Sequence, residues 1–188
     1  MNELIVDKTF EKEDFTTHKH SPDYDNCIFI NCDFRKANLS KATFYNCEFI
    51  ACNLSEVNIN RTAFNEVVFK DCKMLGIDFE KIAALLLSFE FDTCRLDFSS
   101  FYQLKITNTT FNTCSLKEVD FTISDLTNVI FYACDLSNAK FNDSTLTKTD
   151  FRTAQNFTID PSKNNMKKAI FSKNNLLGLL QVFDLDIQ

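Results

Sequence analysis

The sequence contains few of the residues that turn or interrupt a chain, with 2 Gly, 2 Pro and no Trp among its 188 residues. This scarcity argues against a sandwich or barrel of short hairpins, whose tight turns depend on Gly and Pro. Apolar residues make up 45% of the chain, which excludes a disordered tail. The 21 Phe therefore predict one domain with a substantial core, or a short solenoid.

Two further absences concern location and partners. The first residues, "MNELIVDKTFEKEDF", lack the basic start and apolar run of a signal peptide, and no stretch approaches the roughly 18 apolar residues that span a bilayer. We therefore expect a soluble cytoplasmic protein that does not insert into a membrane, with its 8 cysteines present as thiols. The net charge of −6 argues against direct nucleic-acid binding, but it permits a basic protein partner.

A large apolar residue, here called the centre, recurs every five positions. A period of five fits neither the 3.6 residues of a helix nor the two of an ordinary strand. The centres are Tyr24, Phe29, Phe34, Leu39, Phe44, Phe49, Leu54, Ile59, Phe64, Phe69, Met74 and Phe79, followed by Phe91, Leu96, Phe101, Ile106, Phe111, Leu116, Phe121, Leu126, Phe131, Leu136, Phe141, Leu146 and Phe151.

The residue two positions before each centre is usually small, and every cysteine occupies this position. Two inward residues in each five predict a short extended piece followed by a corner. Four such pieces close a square after 20 residues, with successive coils about 4.8 Å apart, the spacing of neighbouring strands. The closure predicts three cysteine columns: Cys94, Cys114 and Cys134; Cys27 and Cys47; Cys32, Cys52 and Cys72.

Two segments, "ANLSKATFYNCEFIACNLSEVNI" and "CDLSNAKF", resemble tandem copies of the five-residue A-(D/N)-L-x-x motif of pentapeptide-repeat proteins. The resemblance implies an all-β fold, a right-handed quadrilateral parallel β-helix, to which the sequence adds a short C-terminal α-helix. We expect an N-terminal cap and irregular first coil over 1–23, the repeat β-helix over 24–155, and a capping and dimerisation segment over 156–188.

The five-residue register breaks between Phe79 and Phe91, near 80–87. If Leu86 is a centre with Ala84 before it, the extra residues fall near 80–83, and Leu85 and Leu87 point outward. The break is either a bulge in the coil or a small protruding apolar contact site.

The two ends depart from the pattern. Phe10 and Phe15 are also five residues apart, but they are out of phase with the later centres. His18 and His20 lack a further ligand at a suitable spacing, so we expect a solvated linker and not a metal site there. Near the other end, Ser172 is a candidate N-cap, and Gly178 lies within the predicted helix. An apolar helical face can cap the last coil or join two rods, and we expect a homodimer through Leu176, Leu177, Leu179, Leu180 and Phe183.

No set of residues suggests catalysis, a metal site or a cofactor. Cysteine nucleophiles need a lowered thiol pKa, whereas these thiols are expected to face a dry core. Asp or Asn often precedes the centre, where such side chains hydrogen-bond to nearby backbone at tight corners. We therefore expect a non-enzymatic protein whose interior is specified more strongly than its surface.

Within the pentapeptide-repeat family, the chain is similar to the quinolone-resistance (Qnr) branch in rod length and C-terminal segment. That resemblance implies a rod that mimics DNA and binds or protects a bacterial type II topoisomerase, DNA gyrase or topoisomerase IV, although the extended loops of strongly protective relatives are absent. The alternative is a scaffold or interaction rod with another partner. Candidate acidic partner-binding residues are Glu90, Asp92, Asp97, Asp120, Asp125 and Asp135.

Overall fold

A computed structural model describes residues 3–17, 22–83 and 87–186. Its regular elements are short strands joined by corners, with one brief α-helix near the end. The strands are β1 (Leu4–Val6), β2 (Thr9–Glu11), β3 (Asp23–Asp25), β4 (Ile28–Ile30), β5 (Thr43–Tyr45), β6 (Glu48–Ile50), β7 (Ala63–Asn65), β8 (Val67–Lys70), β9 (Phe89–Asp92), β10 (Thr110–Asn112) and β11 (Ile130–Tyr132). The helices are the 3₁₀ turns Phe79–Lys81, Lys173–Asn175 and Gln181–Phe183, and α1 (Leu177–Leu180).

All strand pairs are parallel, and they form the right-handed quadrilateral solenoid that the sequence predicts. We call its four sides walls A to D, in the order in which each coil visits them. Wall A contains the four-stranded sheet β1-β3-β5-β7, and wall B contains the seven-stranded sheet that runs from β2 to β11. Walls C and D are held by isolated parallel bridges, such as Asn53↔Lys73 in wall C and Ser100↔Asp120 in wall D.

Most corners depend on one residue in the left-handed backbone region, two positions after a centre. Lys36, for example, has φ 56° after the centre Phe34, and the corner closes with a hydrogen bond of 2.9 Å from the Ala37 N–H to the Phe34 carbonyl. Asn and Asp tolerate positive φ better than most residues, and they occupy many of these corners. The chain therefore turns without a glycine at nearly every corner.

The centres form columns of buried side chains along the inside of the tube. In wall B every centre from the first coil to the last is Phe, and neighbouring rings stack at 4.6–5.3 Å between centroids. Rings of opposite walls meet edge to face, as Phe111 of wall B and Phe121 of wall D do. Both arrangements suit the quadrupole of the ring, so the Phe-rich composition follows from the geometry of the tube.

The cysteines form two columns rather than the three that the sequence predicts. Phe49 pairs with Phe69, 20 residues on, but Phe69 pairs with Phe91, 22 residues on. The additional two residues bring Cys94 above Cys72, so the predicted column of Cys32, Cys52 and Cys72 continues into that of Cys94, Cys114 and Cys134. Cys94, Cys114 and Cys134 do lie one above another, as predicted.

The two extra residues do not lie near 80–83. The Ala83 N–H donates to the Thr62 carbonyl, the same step as from the Ala63 N–H to the Ala42 carbonyl one coil earlier, so the 20-residue register persists to Ala83. The Val67 N–H then donates to the Ser88 carbonyl, which places the insertion between Ala83 and Ser88. Leu87 is half-buried and packs against the core, contrary to the outward position expected for it. Ala84, Leu85 and Leu86 lie outside the described residues.

The first coil belongs to the tube but is one residue shorter than the others. Phe10 pairs with Phe29 and Asp14 with Asp33, 19 residues on rather than 20. Phe10 and Phe15 are both buried and stack on Phe29 and Phe34. Because this coil is shorter, Phe10 and Phe15 are out of phase with the five-residue period of the later centres.

The open end of the last coil is covered by a segment that is less regular than the predicted helix. Instead of one broad helix, α1 spans a single turn and lies between two 3₁₀ turns. The Ser172 N–H donates to Asn175 Oδ1 at 3.1 Å, and Asn175 Nδ2 donates to the Phe151 carbonyl at 2.7 Å. Asn175 thus bonds the covering segment to the backbone of the preceding coil.

Gly178 is required at the contact between α1 and the tube. It is buried, and its carbonyl accepts a 2.9 Å hydrogen bond from the Ile159 N–H. A Cβ at this position would lie 2.4 Å from the Phe157 carbonyl oxygen. Gly lowers the stability of the helix itself, but only Gly lets the helix approach the last coil this closely.

Candidate interaction surfaces of the rod

In the described part of the chain, the interior offers no accessible thiol. All eight cysteines are free and buried. Burial raises the pKa of the Cys32 thiol to about 11 and that of Cys47 to about 12, so both stay protonated at neutral pH. Cys52 donates its Sγ–H to the Phe29 carbonyl at 3.3 Å, and the other thiols of its column make the same contact one coil further on. The cysteines therefore pack and hydrogen-bond within the wall.

The described residues contain no group of His, Cys, Asp or Glu arranged to hold a metal ion. His18 and His20 lie outside the described residues. Within the described ranges, no helix is long and apolar enough to cross a bilayer.

Asp97 does not belong to an exposed acidic surface, contrary to the sequence expectation. It is only 6% exposed, and its Oδ1 accepts hydrogen bonds from Ser115 Oγ at 2.5 Å and the Lys117 N–H at 3.1 Å. Arg95 lies 3.8 Å from its other oxygen. The carboxylate holds neighbouring coils of wall C together.

The other five candidate carboxylates are not gathered on one wall. Glu90 and Asp92 flank Phe91 on wall B, Asp135 precedes Leu136 on wall C, Asp120 precedes Phe121 on wall D, and Asp125 precedes Leu126 on wall A. The structure brings together only Glu90 and Asp92, which lie on the same strand.

Most of these carboxylates have a local structural role. The Oδ1 atoms of Asp120 and Asp125 accept backbone N–H bonds from the residues two positions on, at 2.8 and 3.1 Å. Partial burial opposes ionisation of Asp135, but hydrogen bonds from Ser137, Asn156 and Lys117 outweigh it and lower the pKa to about 2. Across the described residues, basic side chains interrupt the acidic ones on every wall, so no wall carries a continuous acidic stripe.

Wall B presents the most distinctive outer surface. Its sheet leaves exposed Ile130 and Tyr132, 41% and 55% accessible, beside the half-buried Val68 and Thr110. Together with Glu90, Asp92 and Asn112, these side chains line a shallow groove of about 420 Å³. Sequence analysis missed Ile130 and Tyr132, although apolar residues on both sides of a centre were a visible signal.

The charges of wall B are unevenly compensated. Lys70 Nζ lies 3.2 Å from Glu48, and Arg152 forms a close pair with Asp150. Glu90 is exposed, and its carboxylate has no hydrogen bond or ion pair with the described residues. Asp92 accepts a 2.7 Å hydrogen bond from Asn112 Nδ2. The groove thus has an apolar end at Ile130 and Tyr132, whereas at its other end Glu90 and Asp92 adjoin Lys70.

The C-terminal segment exposes much of its apolar surface. Leu177 and Phe183 are 54% and 52% exposed, and Leu176 is also exposed. Leu179 packs against the core, and Leu180 is half-buried. The five residues predicted for a dimer interface therefore divide between one that covers the last coil and others that remain available for a partner.

Comparison with known proteins agrees with this geometry. The family described as "Pentapeptide repeat region" matches residues 23–101 and 82–151. A trypsin-treated variant of QnrB1, a plasmid-mediated fluoroquinolone resistance protein, has 14% identity and a TM-score of 0.64, with 100% of this chain and 98% of that chain covered.

HetL, involved in heterocyst differentiation regulation in the cyanobacterium Nostoc, has 12% identity and a TM-score of 0.48, with 91% and 87% covered. No protein of curated function matches the sequence. With more than half of its residues matched by the family and with the four-walled parallel coil in place, this chain belongs to the pentapeptide-repeat family.

Proposed function

We propose that this chain is a non-enzymatic protein-binding rod that docks a partner on the outer surface of wall B. The observation that supports this best is the groove beside Ile130 and Tyr132, where exposed apolar side chains adjoin Glu90, whose carboxylate has no partner among the described residues. Large exposed apolar groups in a well-ordered sheet are typical of protein contact surfaces. A partner that places an apolar side chain against Tyr132 and a basic one near Glu90 fits this surface.

A bacterial type II topoisomerase is the partner to test first. This proposal is supported by the likeness to QnrB1 along the whole chain, together with the rod shape. The interspersed charges do not favour mimicry of a uniformly charged DNA segment, which carries one negative charge per ~1.7 Å. We therefore expect any contact with gyrase to use specific side chains of wall B rather than the net charge of the rod.

The test measures gyrase binding and supercoiling, with and without a fluoroquinolone. Binding by the wild-type rod that is lost in Tyr132→Ser and Glu90→Lys, but retained in Asn142→Lys on wall D, would support both the partner and the surface. Equal binding by all variants would refute docking on wall B. No binding and no effect on supercoiling at micromolar rod would reject gyrase, and a peptide selection against the same variants would then test wall B alone.

We further propose that two rods associate through the exposed apolar side chains of the C-terminal segment. Sedimentation equilibrium should give a dimer for the wild type and a monomer for Leu177→Asp with Phe183→Asp. Val6→Asp introduces the same charge at an exposed valine of the opposite end and should leave the dimer intact. A wild-type rod that sediments as a monomer would show that the segment only caps its own coil.

A further inference from the structure

Two bulky apolar residues occupy corners where the backbone disfavours them. Phe98 has φ 64° and Ile123 has φ 59°. Aromatic and β-branched side chains are unusual in this left-handed region because the Cβ atom crowds the backbone. Six of the equivalent corners in this chain carry Asn, a residue that tolerates the conformation: Asn26, Asn31, Asn46, Asn108, Asn128 and Asn138.

Packing does not compensate either residue. Phe98 is 62% exposed and Ile123 is 44% exposed, so neither gains the burial that would offset an unfavourable corner. Residues held in unfavourable backbone regions cluster at functional sites, where the cost is retained for another purpose. Exposure and backbone strain at the same two positions thus indicate a role outside the folding of the rod.

The two residues border the same wall in neighbouring coils. Phe98 lies at the corner where the chain enters wall D, and Ile123 at the corner where the next coil leaves it. Tyr102, half-buried, lies between them on the wall, and the Gln103 N–H donates to the Thr122 carbonyl next to Ile123. Phe98, Tyr102 and Ile123 are called the wall D patch below.

The charges around the wall D patch are mainly acidic. Glu118 lies one coil beyond Phe98, and Asp143 lies one coil beyond Ile123. Asp120 lies between the two corners. On the opposite side of the patch, Glu80 accepts a hydrogen bond from Ser100 Oγ. Among the described residues that surround the patch, Lys140 lies beyond Asp120. Lys117, whose carbonyl accepts the Phe98 N–H, pairs with Asp135, and Lys81 pairs with Asp78. An acidic rim disfavours a second copy of this chain on the patch, because two such rims would repel.

We propose that the wall D patch is a second docking surface, distinct from wall B, for a protein segment in which basic side chains flank a large apolar one. The apolar side chain packs between Phe98 and Ile123, and the basic side chains meet Glu118, Asp120 and Asp143. The patch lies on a different wall from the groove, so this proposal can fail while wall B docking holds, and the reverse is equally possible.

The test selects random peptides displayed on phage against the immobilised rod, and measures the affinity of the strongest peptide by fluorescence anisotropy. We expect enrichment of Lys and Arg on both sides of an aromatic or aliphatic residue. Phe98→Asn and Ile123→Asn should each weaken that peptide at least about tenfold, which corresponds to about 1.4 kcal/mol. Because Asn suits the corner, both variants should melt at the wild-type temperature or above it.

Thr113→Asn is the matched control, since Thr113 is also β-branched, exposed and at φ 55°, but at the corner between walls B and C. It should keep the peptide affinity and melt no lower than the wild type. The proposal would be overturned by selected peptides that bind Phe98→Asn and Ile123→Asn as tightly as the wild type, by enrichment of acidic peptides, or by a lowered melting temperature in Phe98→Asn, which would indicate a structural role. A wild-type rod whose self-association disappears in Phe98→Asn would assign the patch to a second copy instead.

Discussion

Replacement of Phe111 by Ala tests whether the stacked centres hold the tube together. Phe111 is fully buried, with its ring stacked between those of Phe91 and Phe131 at centroid distances of 5.0 and 5.2 Å. It also meets the edges of Phe101 and Phe121. Truncation removes all four ring contacts and leaves a cavity in a wall that the backbone hydrogen bonds keep in place.

The expected cost is about 3–5 kcal/mol of unfolding free energy, the usual range for a buried Phe→Ala change. This is a large fraction of the roughly 5–15 kcal/mol that stabilises an ordinary domain. Phe98→Ala removes the same side chain from an exposed corner and should change stability by no more than about 0.5 kcal/mol. The pair therefore separates the effect of burial from the effect of residue type.

Urea unfolding followed by far-UV circular dichroism measures both variants, with the free energy obtained by linear extrapolation. A loss below about 1 kcal/mol for Phe111→Ala, or equal losses for the two variants, would contradict the stacked core.

Three further predictions follow from the walls and the last coil. In Gly178→Ala, the new Cβ would collide with Phe157, so amide exchange at Ile159 should accelerate, whereas Gly76→Asn, where a Cβ meets nothing within 4 Å, should leave exchange unchanged. The pKa of Asp135 in the folded state is about 2, below its ordinary 3.8, so its stabilising effect is present above that ordinary value and is lost as pH falls towards 2. Unfolding curves at several pH values should therefore show a smaller acid-dependent loss in Asp135→Asn than in the wild type, and parallel pH profiles would contradict this reading. Ellman's reagent should modify none of the eight thiols in the native rod and all of them in denaturant. The reason is that burial keeps the thiols inaccessible and raises the pKa of Cys32 and Cys47. Fast reaction of any thiol in the native rod would refute this prediction.

The interior could be predicted from sequence because one rule applies at every fifth residue. Each centre, such as Phe101 or Leu126, is buried where the period places it. The path through the register break could not be predicted, since Leu85, Leu86 and Leu87 are all apolar and the period alone does not say which one faces inward. Backbone hydrogen bonds locate the break, and they merge two cysteine columns that sequence counting kept apart.

The surface was harder to predict for a physical reason. Three of every five residues point outward, and a polar residue there can serve the corner, the neighbouring coil or a partner. Asp97 looks like a surface carboxylate in sequence, but it bridges coils through Ser115 and Lys117. Phe98 and Ile123 could have been noticed as apolar residues two positions after a centre, but the left-handed corner that makes them unusual is visible only in the structure.

The extra residues between Ala83 and Ser88 leave the columns on either side continuous, with Phe69 still stacked on Phe91. A tube that accepts added length at this point without losing alignment offers a natural position for grafting a reporter, an epitope or a foreign binding loop. Cargo attached there would join the rod in its middle coils and not at the end that α1 covers, so that labelling and self-association could be studied in the same molecule.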